Sequence, residues 1–572
     1  MKGFKHVQIS MSTPFGGSFL LDAPPDVFTP EDFTSEHRAI AKATEDFWTR
    51  EVQPNLEAIQ QQDFDVLKRT LRKSAELGLV SVLLPERYGG MELDLVSSMI
   101  VAEGMGRDGS YSVCHGAQAG IGALPVLLFG TEQQKQKYLS RLASAELIAA
   151  YCLTEAQAGS DALAARTRAD ISPDGTHYVL SGQKMWITNG GIADLYTVFA
   201  KAGGEKLTAF LVERAWPGVS PGAEEKKMGL KGSSTTAVYF DNVKVPVENV
   251  LGEVGRGHII AFNILNIGRL TLAVSAHGKC RQTLAGAIRY AQERRAFGKP
   301  IAEFGLIRHK LAEMAVRMYV NESMAYRLTG HIQDSGQPLA NKLMQAGEEF
   351  AAECSFVKIF GSEALDYVVD EAVQIHGGYG YHQDYAVERA YRDARINRIF
   401  EGTNEINRLL ATGMLLRRAR KGTLPLASAL KSLSTTATTD VVANAKKVGL
   451  FLLGVASRQF GESLGEKIDE QQEVVAGISD VLMNAFALES ALARTKKTNQ
   501  ENAADMAAVF ADETMENIKA SAKTVLAACS EGDALRTNLA LLRGMTAYEL
   551  VNSIALRRKI ASRLLQAGKY VV

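Results

Sequence analysis

The sequence predicts an α+β chain that is mostly α: an N-terminal helical domain, a middle antiparallel β domain, a C-terminal four-helix bundle and an additional C-terminal helical domain. Three observations predict it. Apolar residues recur at helical spacing from Pro30 to about Ala150, and again from Ile259 to about Arg420. Between them, from Tyr151 to about Gly257, short β-rich segments are separated by turn pairs. After a Ser/Thr-rich stretch (Ser428–Thr439), amphipathic helical pattern resumes.

Residues 1–30, rich in Gly, Pro and Ser, read as an irregular arm. In the N-terminal helical domain (31–150), Phe33–Ile59, Phe64–Leu79, Leu95–Met105 and Glu132–Leu142 carry the helical pattern, with a turn at Pro85–Gly90. The β domain (151–257) has strand composition at His177–Leu180, Met185–Thr188, Tyr196–Ala200, Thr208–Val212 and Thr235–Val245. The last alternates, with Ala237, Tyr239 and Asp241 on one face and Val238, Phe240 and Asn242 on the other. Asp174-Gly175, Asn189-Gly190 and Gly203-Gly204 supply turns. In the bundle domain (258–420), Arg269–Arg295, Ile307–Gln333 and Leu339–Asp370 are long enough for bundle helices. A linker (421–439) leads to the helical extension (440–572).

With 572 residues, one core is too few, and roughly two to four domains are expected. Lysine plus arginine (64) equals aspartate plus glutamate (64), so no overall basic field points to nucleic acid. The five cysteines are scattered without a CxxC pair, which predicts reduced thiols in an intracellular protein. His376 and His382 have no accompanying cysteine or carboxylate pattern, so no metal is expected. Met1–Leu21 carries no apolar core of a signal peptide and no arginine-rich amphipathic stretch. Unbroken apolar runs such as Val448–Ala456 fall short of the ~20 residues of a spanning helix. The expectation is a cytoplasmic protein with peripheral membrane contact as its most intimate relation to a bilayer.

Four segments carry candidate chemistry. Tyr151–Asp161 clusters Thr154, Gly159 and Ser160 with backbone amides that can bind a phosphate or the edge of a flavin ring; a plain turn is the alternative. Lys184–Gly190 runs a strand into a tight turn, and its Trp186 suits either an aromatic cofactor or a core. Gln374–Tyr381 is glycine-rich, as for close approach to a ligand or for a helix–helix turn, but it is not a GxGxxG fingerprint. Arg395–Asn404 delivers one carboxylate, Glu401, between Phe400 and Gly402. Such a group is a candidate base with a raised pKa, or a helix-start glutamate favoured by the dipole.

In order and spacing, YCLTEAQAGSDA, KMWITNG, ERRAFGKPI, QIHGGYGY and RIFEGTNEINR resemble the acyl-CoA dehydrogenase family over about residues 30 to 415. EKKMGLKGSSTTAVYFDNVKVPVENVLGE (Glu225–Glu253), LLFGTEQQKQKYL and the helical region after Arg420 look like its very-long-chain branch. The resemblance implies FAD as cofactor and oxidation of a long-chain acyl-CoA to its trans-2-enoyl-CoA. Glu401 would take the pro-R α-proton, and the β-hydride would pass to flavin N5. The Glu401 backbone N–H and an FAD ribityl hydroxyl would meet the charge on the thioester oxygen. A subset of the family carries the base just before an arginine on the helix around Ile267–Leu270; here that position is Gly268, before Arg269.

By the same resemblance Tyr151, Leu153, Thr154, Gly159, Ser160, Trp186, Ile187 and Thr188 line the flavin. Arg294 and Phe304 meet the FAD of a neighbouring subunit, which implies at least a homodimer, and Gln374, His376, Gly377 and Gly378 hold its adenine side. Gly402, Thr403 and Asn404 close over the cofactor. Ser160, Asn266, Ile267, Gly268 and Arg269, with Glu401 and Gly402, touch acyl-CoA. Many members have Gln after the residue matching Phe304; this chain has Gly305, so that cofactor contact is lost. Electrons would pass to an electron-transferring flavoprotein. His115–Gly122 falls where the family's acyl pocket ends, and its glycines suit either open space or close helix packing. An acyl-CoA oxidase and a non-catalytic assembly factor are the competing readings; the intact Glu401 and flavin segments oppose the second.

Overall fold

The computed structural model describes residues 14–22, 24, 26–334, 339–436, 438–461 and 470–572. Residues 1–13 of the expected arm lie outside the described residues.

Local chemistry starts the N-terminal helices where the sequence allows. Thr34 caps α1 (Ser35–Phe47), accepting from the His37 N–H at 3.1 Å. After α2 (Leu56–Gln60), Asp63 caps α3 (Phe64–Glu76) and Asp94 caps α4 (Leu95–Met105). The run Gly109–Phe129 comprises α5 (Gly109–Gly116), a π-helical turn at Ala117–Gly122, and α6 (Leu124–Phe129). A Thr131–Gln134 capping box opens α7 (Glu132–Ala143).

The middle of the chain forms an eight-stranded sheet: β1 (Ala149–Cys152), β2 (Arg168–Ile171), β3 (His177–Thr188), β4 (Leu195–Ala202), β5 (Lys206–Glu213), β6 (Val219–Glu224), β7 (Thr235–Pro246) and β8 (Val250–Leu251). The order is β6-β7-β3-β2-β4-β5-β8, with β1 beside β4. The sheet is antiparallel except where β1 and β2 pair parallel to β4. β3 joins two segments that look separate in the sequence. The alternation of β7 fails at Asn242: Asp241 and Asn242 together oppose Ser181, and this bulge turns Asn242 to solvent with φ +51°.

The bundle is built on α8 (Gly257–Glu293), α9 (Gly305–Gln333), α11 (Ala351–His376) and α13 (Asn404–Arg420), with α10 (Leu339–Glu349) and α12 (Ala386–Ala394) between them. The two-residue strands β9 (Arg295–Ala296) and β10 (Lys299–Pro300) pair between α8 and α9. The predicted helix Leu339–Asp370 is two helices. At the break, Asn266 Nδ2 donates to the Gly347 carbonyl, and Phe350 buries its ring at φ −98°, ψ 25°. The extension adds α14 (Leu426–Lys431), α15 (Val441–Phe460), α16 (Gln472–Thr498), α17 (Glu501–Cys529), α18 (Gly532–Met545) and α19 (Ser553–Ala567). Gly109–Phe129, Gly257–Glu293 and Gln472–Thr498 are apolar and long enough to cross a membrane, which a count of unbroken apolar runs misses. Their apolar windows are 61%, 61% and 78% buried within the fold, which accounts for their composition.

Buried charge fastens the extension and the arm to the bundle. Glu322 on α9 accepts from Arg494 Nη1 of α16 at 2.7 Å and from the Tyr570 hydroxyl at 3.0 Å. Arg494 also pairs with Glu31 at the start of the N-terminal domain (2.8 Å), and Arg281 of α8 pairs with Glu103 of α4 (3.0 Å). Donor atoms of Glu103, His277 and Glu322 lie within 4.8 Å of one another, a metal-like grouping, but Arg281 and Arg494 already supply positive charge to the two carboxylates. Phe19 of the arm packs edge-on between Phe356 and Phe486. Arg494→Leu leaves the Glu322 carboxylate with less countercharge in the interior and lowers stability by about 3–5 kcal/mol, whereas the Arg494→Leu/Glu322→Leu double variant recovers most of it. Thermal unfolding of the three proteins checks this.

Candidate active site

Glu401 stands in a short turn between Phe400 and α13, and the turn is left-handed twice over, with φ +59° at Glu401 and +80° at Gly402. A non-glycine residue in that region is strained, and three side chains hold it there. Arg269 Nε donates to the Glu401 carbonyl at 3.0 Å. Asn407 Nδ2 reaches the carbonyls of Glu401, Gly402 and Thr403 at 3.3, 2.7 and 3.0 Å. Lys358 Nζ donates to the Gly402 carbonyl at 2.8 Å. Thr403 caps α13 through the Ile406 N–H.

The carboxyl group is thereby turned inward. Its Oε2 is sealed from solvent with no hydrogen-bond partner. A Cβ at Gly268 would stand only 3.0 Å from that oxygen and 3.2 Å from Oε1. Position 268 and the Glu401 carboxyl therefore address one small volume, which a glycine leaves open. Burial pushes Glu401 up to about 7, against the opposing pull of Arg269 and Lys358. Tyr151, at the end of β1, feels the same carboxylate: burial and Glu401 together raise its hydroxyl, which donates to the Ala261 carbonyl at 3.3 Å.

From Tyr151 the site continues into the sheet. The Met185 N–H donates to the Thr154 carbonyl (2.9 Å), so the ends of β1 and β3 lie side by side. Buried Lys184 braces this corner by donating to Glu155 Oε1 (2.6 Å) and the Leu153 carbonyl (3.0 Å). Two residues on, Trp186 has φ +55° and is 58% exposed. Ile187 buries its side chain in the sheet, Thr188 is half-buried, and Gly159 and Ser160 stand exposed on the following loop with open space at the glycine.

Beside Ile267 a cavity runs between α4, α5 and α8. Leu83, Met99, Val101 and Leu124 give it an apolar wall. Gly116 and Gly120 face open space there, whereas a Cβ on Gly122 would stand 2.5 Å from Ala149 Cβ. Both meanings of those glycines hold, at different positions. His115 on the wall is hydrogen-bonded to Ser74 (3.1 Å), and burial pushes it down to about 4.

The other sequence-predicted residues lie elsewhere. Arg294 is roughly 39 Å further along α8 than Gly268, at the helical rise of 1.5 Å per residue. There Arg294 covers the Tyr379 ring (5.5 Å), and His376 stacks on Tyr290 (4.0 Å) with its Nδ1 at the Ala372 carbonyl (2.7 Å). Gln374, Gly377 and Gly378 are exposed, and half-buried Phe304 packs edge-on to Phe297. This end of the bundle exposes Phe297 (94%), Tyr381 (86%) and Leu306 (79%). Asn404 turns inward, its amide shared among Lys358, Ser362 and Glu363, and Asn266 bonds Arg269 and Gly347. Sequence reasoning passed over Lys184 and Lys358. Lys184 has no sequence signal, following Ser181-Gly182-Gln183, whereas Lys358 is marked as a lone lysine in the apolar segment Phe356–Phe360.

A sealed carboxylate, a cavity lined by the same stretch of α8, a solvent-facing Trp186 and an exposed Gly159 on the loop after β1 suit a flat aromatic cofactor and an acyl chain; this is the architecture of a flavin-dependent oxidoreductase. Family profiles described as acyl-CoA dehydrogenase N-terminal, middle and C-terminal domains match residues 34–146, 150–243 and 255–416, and a further C-terminal domain profile matches 444–544. A probable acyl-CoA dehydrogenase of Bacillus subtilis is 46% identical over 97% of this chain and 98% of its own. The very long-chain specific mitochondrial acyl-CoA dehydrogenase of Rattus norvegicus is 44% identical over 69% of this chain and 58% of its own. The crystal structure of an acyl-CoA dehydrogenase complexed with FAD from Bacillus anthracis is 46% identical, covers 98% of this chain and 100% of its own, and superposes with a TM-score of 0.95. The chain belongs to the acyl-CoA dehydrogenase family and is an FAD-dependent oxidoreductase.

The raised Glu401 carries a stability cost with a defined sign. Burial favours its neutral form in the folded state, so its contribution is fully present below the ordinary carboxyl value of 4.5 and is lost as pH rises through about 7. The cofactor-free Glu401→Gln variant is therefore more stable than wild type at pH 8, by up to about 3 kcal/mol, and the advantage vanishes near pH 4.5. Denaturant unfolding at the two pH values measures it.

Proposed function

We propose that the enzyme oxidises long-chain acyl-CoA to trans-2-enoyl-CoA, with Glu401 as the base that removes the α-proton. The observation that carries this reading is the Glu401 carboxyl set against Gly268, its Oε2 sealed, on the helix whose Ile267, Thr271 and Ser275 line the cavity. A carboxylate stripped of water and moved to about 7 is a far stronger base than a solvated one, yet part of it stays ionised at neutral pH. The cavity shields the α-carbon from solvent and positions the chain. The Glu401 backbone N–H, which has no hydrogen bond among the described residues, is the donor available to the thioester oxygen as charge develops. FAD, when bound, accepts the hydride that no side chain of this protein can take.

Gly116 and Gly120, and the very-long-chain relative, support a long acyl substrate. The family resemblance supports an electron-transferring flavoprotein as acceptor; an acyl-CoA oxidase would instead yield peroxide. The distance along α8 supports a homodimer. One FAD that meets Glu401 cannot also reach Arg294, Gln374 and His376 of the same chain, so a second copy would bring them. Five free, buried cysteines are in keeping with a reducing cytoplasmic location, and peripheral membrane contact is compatible with it.

Glu401→Gln keeps FAD and binds acyl-CoA, but its flavin reduction in anaerobic stopped flow falls by at least ~10²-fold, the scale of a lost general base. Unimpaired bleaching of the flavin excludes the assignment. In wild type, kcat/KM falls as pH drops through about 7, because the ionised carboxylate is the active form. Gly120→Val fills open space on the cavity wall, so it lowers turnover of the longest acyl chains while sparing short ones; a chain-length series reads it out.

A further inference from the structure

Lys358 is fully buried in the middle of α11, in the apolar run Ser355–Phe360, and none of the chemistry above uses it. A buried ammonium is costly unless it is bound, and this one is bound in a particular way. Two of its three N–H groups go to the Gly402 carbonyl (2.8 Å) and to Asn404 Oδ1 (2.7 Å), the residues that follow Glu401. Asn404 is itself fixed by Ser362 and Glu363 of α11, at 3.0 Å each. The ammonium thus ties the Glu401–Gly402 turn to α11, as Arg269 ties it to α8.

We propose that Lys358 is a positioning residue for the base. Its ammonium holds the left-handed Glu401–Gly402 turn by the Gly402 carbonyl and Asn404, so that the Glu401 carboxyl and backbone N–H both face the substrate. The proposal rests on Glu401 being the base.

The electrostatic surroundings agree with this role. Lys358 faces Glu401, Arg269 from α8, Glu405 from α13 and Glu363 from its own helix. Glu401 faces Lys358, Arg269 and, from β1, Tyr151. Burial pushes Lys358 down to about 7, against the opposing pull of the Glu401 carboxylate. Without the ammonium, Glu401 keeps only Arg269 as a cation and takes up its proton at higher pH.

The test uses the FAD-loaded full chain as wild type, Lys358→Met, Lys358→Gln, Lys358→Arg and Glu401→Gln. FAD content, acyl-CoA binding and the rate of flavin reduction are measured across pH. Lys358→Met is expected to reduce flavin about 10²-fold more slowly per bound FAD, the scale of an ångström's misplacement, with acyl-CoA affinity little changed. Its acid limb moves to higher pH. Lys358→Gln moves the limb the same way while keeping more of the rate, because its amide can still donate. Lys358→Arg, which retains a cation and its donors, restores the limb. A purely structural lysine would lower FAD content or melting temperature and leave rate per FAD and the limb at wild-type values; that outcome overturns the proposal. Should Lys358→Met not fold, an unmoved limb in Lys358→Gln overturns it equally. Full flavin reduction by Glu401→Gln would sink the base assignment instead, so the two failures are distinguishable.

Discussion

A single carboxyl group is kept out of water, at the end of a backbone turn that ordinary side chains resist, and much of the surrounding structure serves that placement. The Glu401 turn has almost no hydrogen bonding of its own. Its carbonyls are bound by Arg269 from α8, by Asn407 from α13 and, at Gly402, by Lys358 from α11. Three bundle helices therefore brace one turn, and shifting any of them moves the carboxyl. Gly268 completes the arrangement from the facing wall, since even a methyl group there presses on the carboxylate oxygens.

Helix α8 links the molecule's functional regions. Its first half borders the cavity and the Glu401 carboxyl through Ile267 and Gly268, its middle carries Arg281, which pairs with Glu103 of the N-terminal domain and covers the Tyr570 ring of the extension, and its end carries the surface around Arg294. Its mostly apolar sequence follows from this position, wrapped by α4, α9, α10 and α11 along its length. The start of the N-terminal domain, the bundle and the extension meet at Arg494, which pairs with Glu31 and Glu322 in the interior rather than at the surface. The extension is thus part of the scaffold that supports the site.

Much of this could be read from the residues. The helix–sheet–helix order followed from periodicity, and Glu401 was visible as one carboxylate among Ile399, Phe400 and Gly402. The sequence did not reveal where a strand or helix is interrupted by a partner from far along the chain. The break at Phe350 lies where Asn266 takes a backbone carbonyl, a contact with no local signature. The bulge at Asn242 is set by pairing with β3, and the parallel pairings of β1 and β2 arise from tertiary arrangement rather than strand composition. At the site, motif matching gathered residues that lie at opposite ends of α8. It passed over Lys358, whose importance appears only when the Gly402 carbonyl is seen beside it.

The π-helical turn at Ala117–Gly122 makes the shape of the cavity depend on the number of residues in its wall as well as on side-chain size. Such a turn carries one residue more than α winding needs. Losing that extra residue would let the backbone wind as ordinary α-helix, closing the widened turn while leaving the helices on either side nearly in register. A single-codon deletion or insertion at this turn is thereby a way to reshape the cavity wall, where Ala119 and Gly120 stand, without substituting any side chain elsewhere on it.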